Sequence, residues 1–128
     1  MEVKASTLPR HLKAGNGLFA LKDFAKGDVV ATYDYDDVID DEELVRLKVR
    51  KDKQVKYVLQ LKKNKHLCGL MEAKTGRGMG SLINSGGKAF KNNCRFSRFR
   101  KEIKIKCSVR LIKKGTELFV PYNRGKLD

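Results

Sequence analysis

The 128-residue chain has no tryptophan, only two prolines and three cysteines, and no long apolar run. The lack of 18 consecutive apolar residues excludes a membrane-spanning helix, and the polar start gives no secretory signal, so a soluble intracellular protein is expected. Cys68, Cys94 and Cys107 are odd in number and show no Cys-x-x-Cys spacing. They support neither a disulfide framework nor a four-ligand zinc site, and are read as reduced, buried thiols with no metal bound. His11 and His66 have no acidic or cysteine neighbour at ligand spacing, which makes them surface or hydrogen-bonded histidines rather than ligands.

Acidic residues are also scarce, with 15 against 29 Lys and Arg and a net charge of +14. Seven of them (Asp34, Asp36, Asp37, Asp40, Asp41, Glu42 and Glu43) fall in one ten-residue block that contains no base. That block is read as a solvated loop and helix start, or else as a landing strip on which Asp36, Asp37, Asp40 and Asp41 receive a basic peptide. The basic excess elsewhere attracts nucleic acid or assemblies that contain it. Arg46 to Lys65 holds nine bases and one acid with Tyr57 as its single aromatic, so non-specific phosphate contact is what it offers; a solvated face is the plainer alternative.

One domain fits this length, and the pattern is mainly β with one or two short helices. Leu18 to Leu21 and Val29 to Tyr33, separated by the Lys26-Gly27-Asp28 turn, predict a hairpin-like start, while residues 1 to 14 show no clear period. Asp40 and Glu43 form a capping-box pattern before Arg46, Lys48 and Arg50, which predicts a helix near 41 to 50. Val55, Tyr57, Leu59 and Leu61 alternate with polar residues, as do Ile103, Ile105, Cys107 and Val109, and both runs predict half-buried strands. The run 75 to 80 is too glycine-rich for a helix interior.

Four motifs then recur in a telling order: Gly15-Asn16-Gly17-Leu18-Phe19-Ala20, Tyr33-Asp34-Tyr35-Asp36, Ser81-Leu82-Ile83-Asn84-Ser85 followed by Asn92-Asn93-Cys94, and Gly115-Thr116-Glu117-Leu118-Phe119-Val120-Pro121-Tyr122. Over about residues 13 to 123 this series resembles the SET domain, the lysine methyltransferase fold, and in size it is similar to the minimal SET proteins of some algal viruses. The resemblance implies small sheets of short strands with a knot-like C-terminal active site, a variable insert at about 34 to 66, and a short tail at 124 to 128. It implies S-adenosylmethionine as cofactor, held by Gly15, Asn16, Gly17, Leu18, Leu82, Ile83, Asn84 and Ser85. Tyr122 stands where the family keeps its catalytic tyrosine, Tyr33 where a tyrosine lines the lysine channel, and Val120 where the family restricts the number of methyl groups added. A basic tail such as that of a histone is the implied substrate, with a nuclear or chromatin-associated location, or the host nucleus for a viral protein.

The chain departs from the family pattern at several points. Ser85 replaces the histidine that follows the asparagine, and the loop to Asn93 is about three residues longer than usual. Pro121 and Asn123 replace a common Asp and Gly. Family zinc cysteines are missing after Tyr122, so either residues 124 to 128 or a second subunit in a homodimer is expected to close the channel. Two readings stand beside the enzyme: a non-catalytic basic module that binds nucleic acid or nucleosomes, and a degenerate SET fold that serves as an interaction platform.

Overall fold

The strongest period-two signal becomes the centre of a sheet, because Ile103, Ile105 and Cys107 are at most 2% exposed while Lys104 and Lys106 point to the other face. The structure, a computed structural model, describes residues 1–9, 15–71, 79–86 and 90–121. Ten short strands fall among these residues: β1 (Glu2–Ala5), β2 (Asn16–Phe19), β3 (Phe24–Ala25), β4 (Val29–Thr32), β5 (Tyr35–Ile39), β6 (Val58–Lys62), β7 (Lys65–Gly69), β8 (Cys94–Phe99), β9 (Glu102–Cys107) and β10 (Leu111–Ile112). They make four small antiparallel sheets in the orders β1-β2, β10-β3, β4-β9-β8 and β5-β7-β6. One α-helix, α1 (Asp41–Val49), and two 3₁₀ turns, Lys53–Tyr57 and Gly80–Leu82, complete the described elements. No described helix is long and apolar enough to cross a membrane. The fold is the mainly β arrangement of small sheets that the sequence implied.

The helix forms as the capping pattern dictates. Asp40 accepts a 2.8 Å hydrogen bond from the Glu43 amide, acids fill the first turn and bases the last. Only Leu47 of this helix is buried, so propensity and capping contribute much of its stability.

Three local expectations need correction. Leu18–Phe19 and Val29–Thr32 do not pair with each other: β2 lies against β1, a strand without a legible period, and β4 lies against β9. Long-range pairing has overridden the local turn signal. Val55 and Tyr57 are not in a strand, because Asp52 accepts from the Gln54 amide at 2.9 Å and winds residues 53–57 into a 3₁₀ turn, so β6 begins only at Val58. Residues 35–39 of the acidic block are not loop but strand β5, paired with β7 from Tyr35↔Gly69 to Ile39↔His66. The expected glycine-rich run lies largely outside the described residues, as do His11 and the tail 124–128.

The core joins Leu18, Tyr33, Leu59, Leu67, Ile103, Ile105, Ile112, Leu118 and Val120, all essentially inaccessible. Gly80 sits where this core meets the loop that leads to Asn84. A Cβ there would fall 2.7 Å from the Thr32 carbonyl oxygen and 2.6 Å from Ile105 Cδ1. Because one of those atoms is backbone, Gly80→Ala is expected to cost about 2 kcal/mol through forced displacement. A chemical-denaturation midpoint lowered at unchanged m-value checks it.

All three cysteines are free and buried, as the sequence suggested, and Cys94 faces Cys107 across β8 and β9. Burial, and next the neighbouring Cys107 thiol, push the Cys94 pKa from an ordinary 9.0 up to about 12. Burial raises the Cys68 pKa as well, with Asp37 contributing. Between about pH 9 and 12 the unfolded chain therefore releases a Cys94 proton that the folded chain keeps, so stability falls as pH rises through that window. Cys94→Ser is expected to flatten this alkaline decline, measured as unfolding free energy against pH relative to the parent chain.

Candidate functional site

The segment from Gly115 to Val120 is where distant parts of the chain meet. Gly115 takes φ 90°, a value that suits glycine, and turns the chain so that its amide donates to Ala20 O at 2.8 Å. The Ala20 amide donates to Thr116 O, and the Leu118 amide to Leu18 O, which lays this segment against β2. One residue later the run changes partner. The Val120 amide donates to Asn84 O at 3.0 Å, and both the Asn93 and Cys94 amides donate to Phe119 O.

Asn93 splints this crossing with its side chain. Its Oδ1 accepts from the Phe119 amide at 2.8 Å and its Nδ2 donates to Glu117 O at 3.0 Å. A primary amide is suited to this task because it offers a donor and an acceptor in one plane. Phe90 stacks on Phe119, centroids 5.4 Å apart, and Gly86 N donates to Asn92 Oδ1, so Phe90 covers the crossing while Gly86 is tied to the residue before Asn93. Four residues, Glu117 to Val120, are thus tied to the segments around 18, 84 and 93.

At its centre is Glu117, only 4% exposed. Its carboxyl group accepts from Ser6 Oγ, the Thr7 amide and Thr7 Oγ1, each at 2.7 Å, and from Asn84 Nδ2 at 3.3 Å. Asn84 Nδ2 also donates to Asn16 O at 2.9 Å. One acid and one amide therefore hold together the N-terminal segment, the Gly15-Asn16-Gly17 turn and the Asn84 loop. Gly17 is required there by close approach, because a Cβ would sit 2.8 Å from Glu117 Cδ and 3.2 Å from Asn84 Nδ2.

The structure brings together most of the residues singled out for the cofactor. Gly15 has φ 68° and is exposed with Asn16; Gly17 and Leu18 are buried directly behind them. Leu82, Asn84 and Ser85 are half-buried and Ile83 is 2% exposed, and the Ser81 hydroxyl donates to Leu70 O at 2.7 Å, which anchors this loop beyond β7. With Asn84 Nδ2 committed twice, Oδ1 is its remaining acceptor, and among the described residues nothing donates to it. The Asn84 amide oxygen and the exposed backbone of Gly15 and Asn16 offer acceptors that fit a ligand carrying an ammonium group, as the amino-acid end of S-adenosylmethionine does.

The remaining site residues are placed as follows. Val120 is fully buried at the crossing. Tyr33 is 1% exposed, its ring edge-on to Phe96 and its hydroxyl donating to Tyr57 O. Asp36 and Asp37 are exposed on β5, where Asp37 Oδ1 accepts from the Val38 amide. Asp40 caps α1, and Asp41 contacts the buried His66 ring at 2.6 Å, so this histidine is hydrogen-bonded as expected. Tyr122 lies outside the described residues.

Sequence reasoning assigned no role to Glu117, Asn93, Ser6 or Thr7. For Glu117 a signal was present: it heads the apolar run Leu118-Phe119-Val120, and a carboxyl group entering a core needs several donors. Ser6 and Thr7 gave none, since their partner lies more than 100 positions away.

The SET domain family model matches residues 15–123. No curated protein matches the chain.

Proposed function

Because this chain belongs to the SET-domain family, whose members are in general protein-lysine methyltransferases, we propose that it is an S-adenosylmethionine-dependent lysine N-methyltransferase acting on a basic protein segment. The observation that carries this reading is the convergence of the Gly15–Gly17 turn, Asn84 and Glu117–Val120 through hydrogen bonds between segments far apart in sequence. When bound, the cofactor supplies an electrophilic methyl group on a sulfonium, and transfer to an amine is an in-line displacement. The protein's task is chiefly to fix geometry and exclude water.

Asn16 and Gly17 offer backbone to the cofactor, and Asn84 Oδ1 an acceptor for its ammonium. Val120 and the buried residues behind it present an apolar wall. A free lysine has a pKa of about 10.4 and is almost wholly charged near neutral pH, so the site must favour loss of a proton, which a dry channel does by desolvation. Tyr122, two residues beyond Val120, is assigned the orientation of that amine through its phenol oxygen.

The exposed acids of β5 support a basic substrate such as a histone tail, because Asp36 and Asp37 stay at the surface while Asp40 and Asp41 also serve the helix and His66. Incubation with radiolabelled S-adenosylmethionine and core histones, followed by mass spectrometry, tests the reading. Label on a histone lysine supports it; cofactor binding without label on any basic protein offered would leave a fold that binds but does not transfer, and would overturn the enzymatic assignment.

A further inference from the structure

We propose that the β8–β9 hairpin is a docking ribbon for double-stranded DNA. Between Cys94 and Cys107 it carries Arg95, Arg98, Arg100, Lys101, Lys104 and Lys106 against one acid, Glu102. Among the described residues, the 3.5 Å contact between Lys104 and Glu102 is the ion pair that offsets any of these charges. The basic stretch that stood out in the sequence is different. Arg46 is paired with Glu42 and Glu43, and Arg50 with Glu43 and Asp52, so both arginines at the C-terminal end of α1 are met by nearby acids.

Two features of the hairpin work against its own stability. Arg95 lies directly opposite Lys106, and like charges facing each other across strands are destabilising. Arg100 adopts φ 57° in the two-residue turn that joins Phe99 to Glu102, where glycine or asparagine is the usual choice. Its guanidinium sits 5.3 Å from the Phe99 ring, which is itself 68% exposed at the tip. A chain that places two unfavourable cations and an open aromatic on one ribbon gains from them when a dense negative partner is present.

Duplex DNA has that density, with one charge per roughly 1.7 Å of axis. From Arg95 to Arg100 strand β8 extends about 17 Å along one edge of the β4-β9-β8 sheet, a length over which a duplex presents several phosphates to it. A single strand suits it less well, because stacking platforms use successive aromatics and the tip exposes Phe99 alone. The hairpin is also held in orientation: Tyr35 donates its hydroxyl to Lys101 O at 3.1 Å, and Cys94 begins at the crossing beside Phe119. This surface therefore complements the proposed transfer reaction without depending on it.

Two substitutions remove charge while relieving the fold. Arg95→Glu turns a like-charged cross-strand pair into an opposite one with Lys106, and Arg100→Gly frees the turn. Fluorescence anisotropy of a labelled DNA duplex with the full chain, at several salt concentrations and without cofactor, reads the result. The double variant is expected to bind about tenfold or more weakly, with a shallower salt dependence, while its melting temperature is unchanged or higher. Unchanged duplex affinity would overturn the proposal. So would polyglutamate competing as well as unlabelled duplex, or a single strand binding more tightly than the duplex. Histone methylation by the same variant separates the two readings, since free histone should still be modified if only DNA docking is lost.

Discussion

Replacing Glu117 by alanine is expected to lower stability by about 3 kcal/mol and to abolish measurable S-adenosylmethionine binding, because it strips four donors of their shared acceptor at a nearly inaccessible site. Ser6, Thr7 and Asn84 then have no reason to stay together. The Gly15–Gly17 turn is then left to its pairing with β1, the Ser6 amide on Gly15 O and the Asn84 bond to Asn16 O, with Asn84 itself no longer anchored by the acid. Glu117→Gln separates shape from chemistry. It keeps the volume but turns one acceptor into a donor facing donors, so it should fold with a modest loss and bind cofactor at least about tenfold more weakly. Calorimetric titration of both variants, with thermal unfolding alongside, checks this. Normal cofactor affinity in Glu117→Gln would show that the acid serves only the fold.

Tyr122→Phe should have the opposite signature. It removes one hydroxyl from the residue that the family pattern places at the lysine, so folding and cofactor affinity should persist while turnover falls by about 10²- to 10³-fold. Because the loss belongs to the reaction step, saturating peptide should not restore it. Single-turnover methyl transfer with cofactor pre-bound is the measurement, and unchanged turnover would remove the role assigned to this tyrosine.

The sequence was most legible where one local force dominates. The α1 cap was readable from Asp40 and Glu43, and β9 from its alternation, because an N-cap side chain and a half-buried strand each leave a short-range mark. The four ordered motifs located the Asn84 and Glu117–Val120 segments that meet at the crossing. What could not be read was decided by partners far along the chain. β1 has no period because Glu2, Lys4 and Ala5 are exposed and only Val3 is partly buried, and it exists as a strand by pairing with β2. Val55 and Tyr57 look strand-like by period, yet the Asp52 cap and the bond from Gln54 Nε2 to Gly69 O hold the segment as a turn. Ser6 and Thr7 acquire a role only because the chain returns at Glu117. Basic charge was legible as an amount but not as a surface: the acids that meet Arg46 stand only three and four positions before it, whereas the pairing of β8 with β9 is what sets Arg95 beside Lys106.

Hydrogen exchange with and without S-adenosylmethionine tests the central claim most directly. If the Gly15–Gly17 turn, Asn84 and the crossing at Glu117–Val120 form one cofactor site, amides at 16–18, 84–85 and 118–120 should slow together on addition of cofactor, while those at the β8–β9 tip stay unchanged. Slowing confined to one of these segments, or absent from all three, would contradict it.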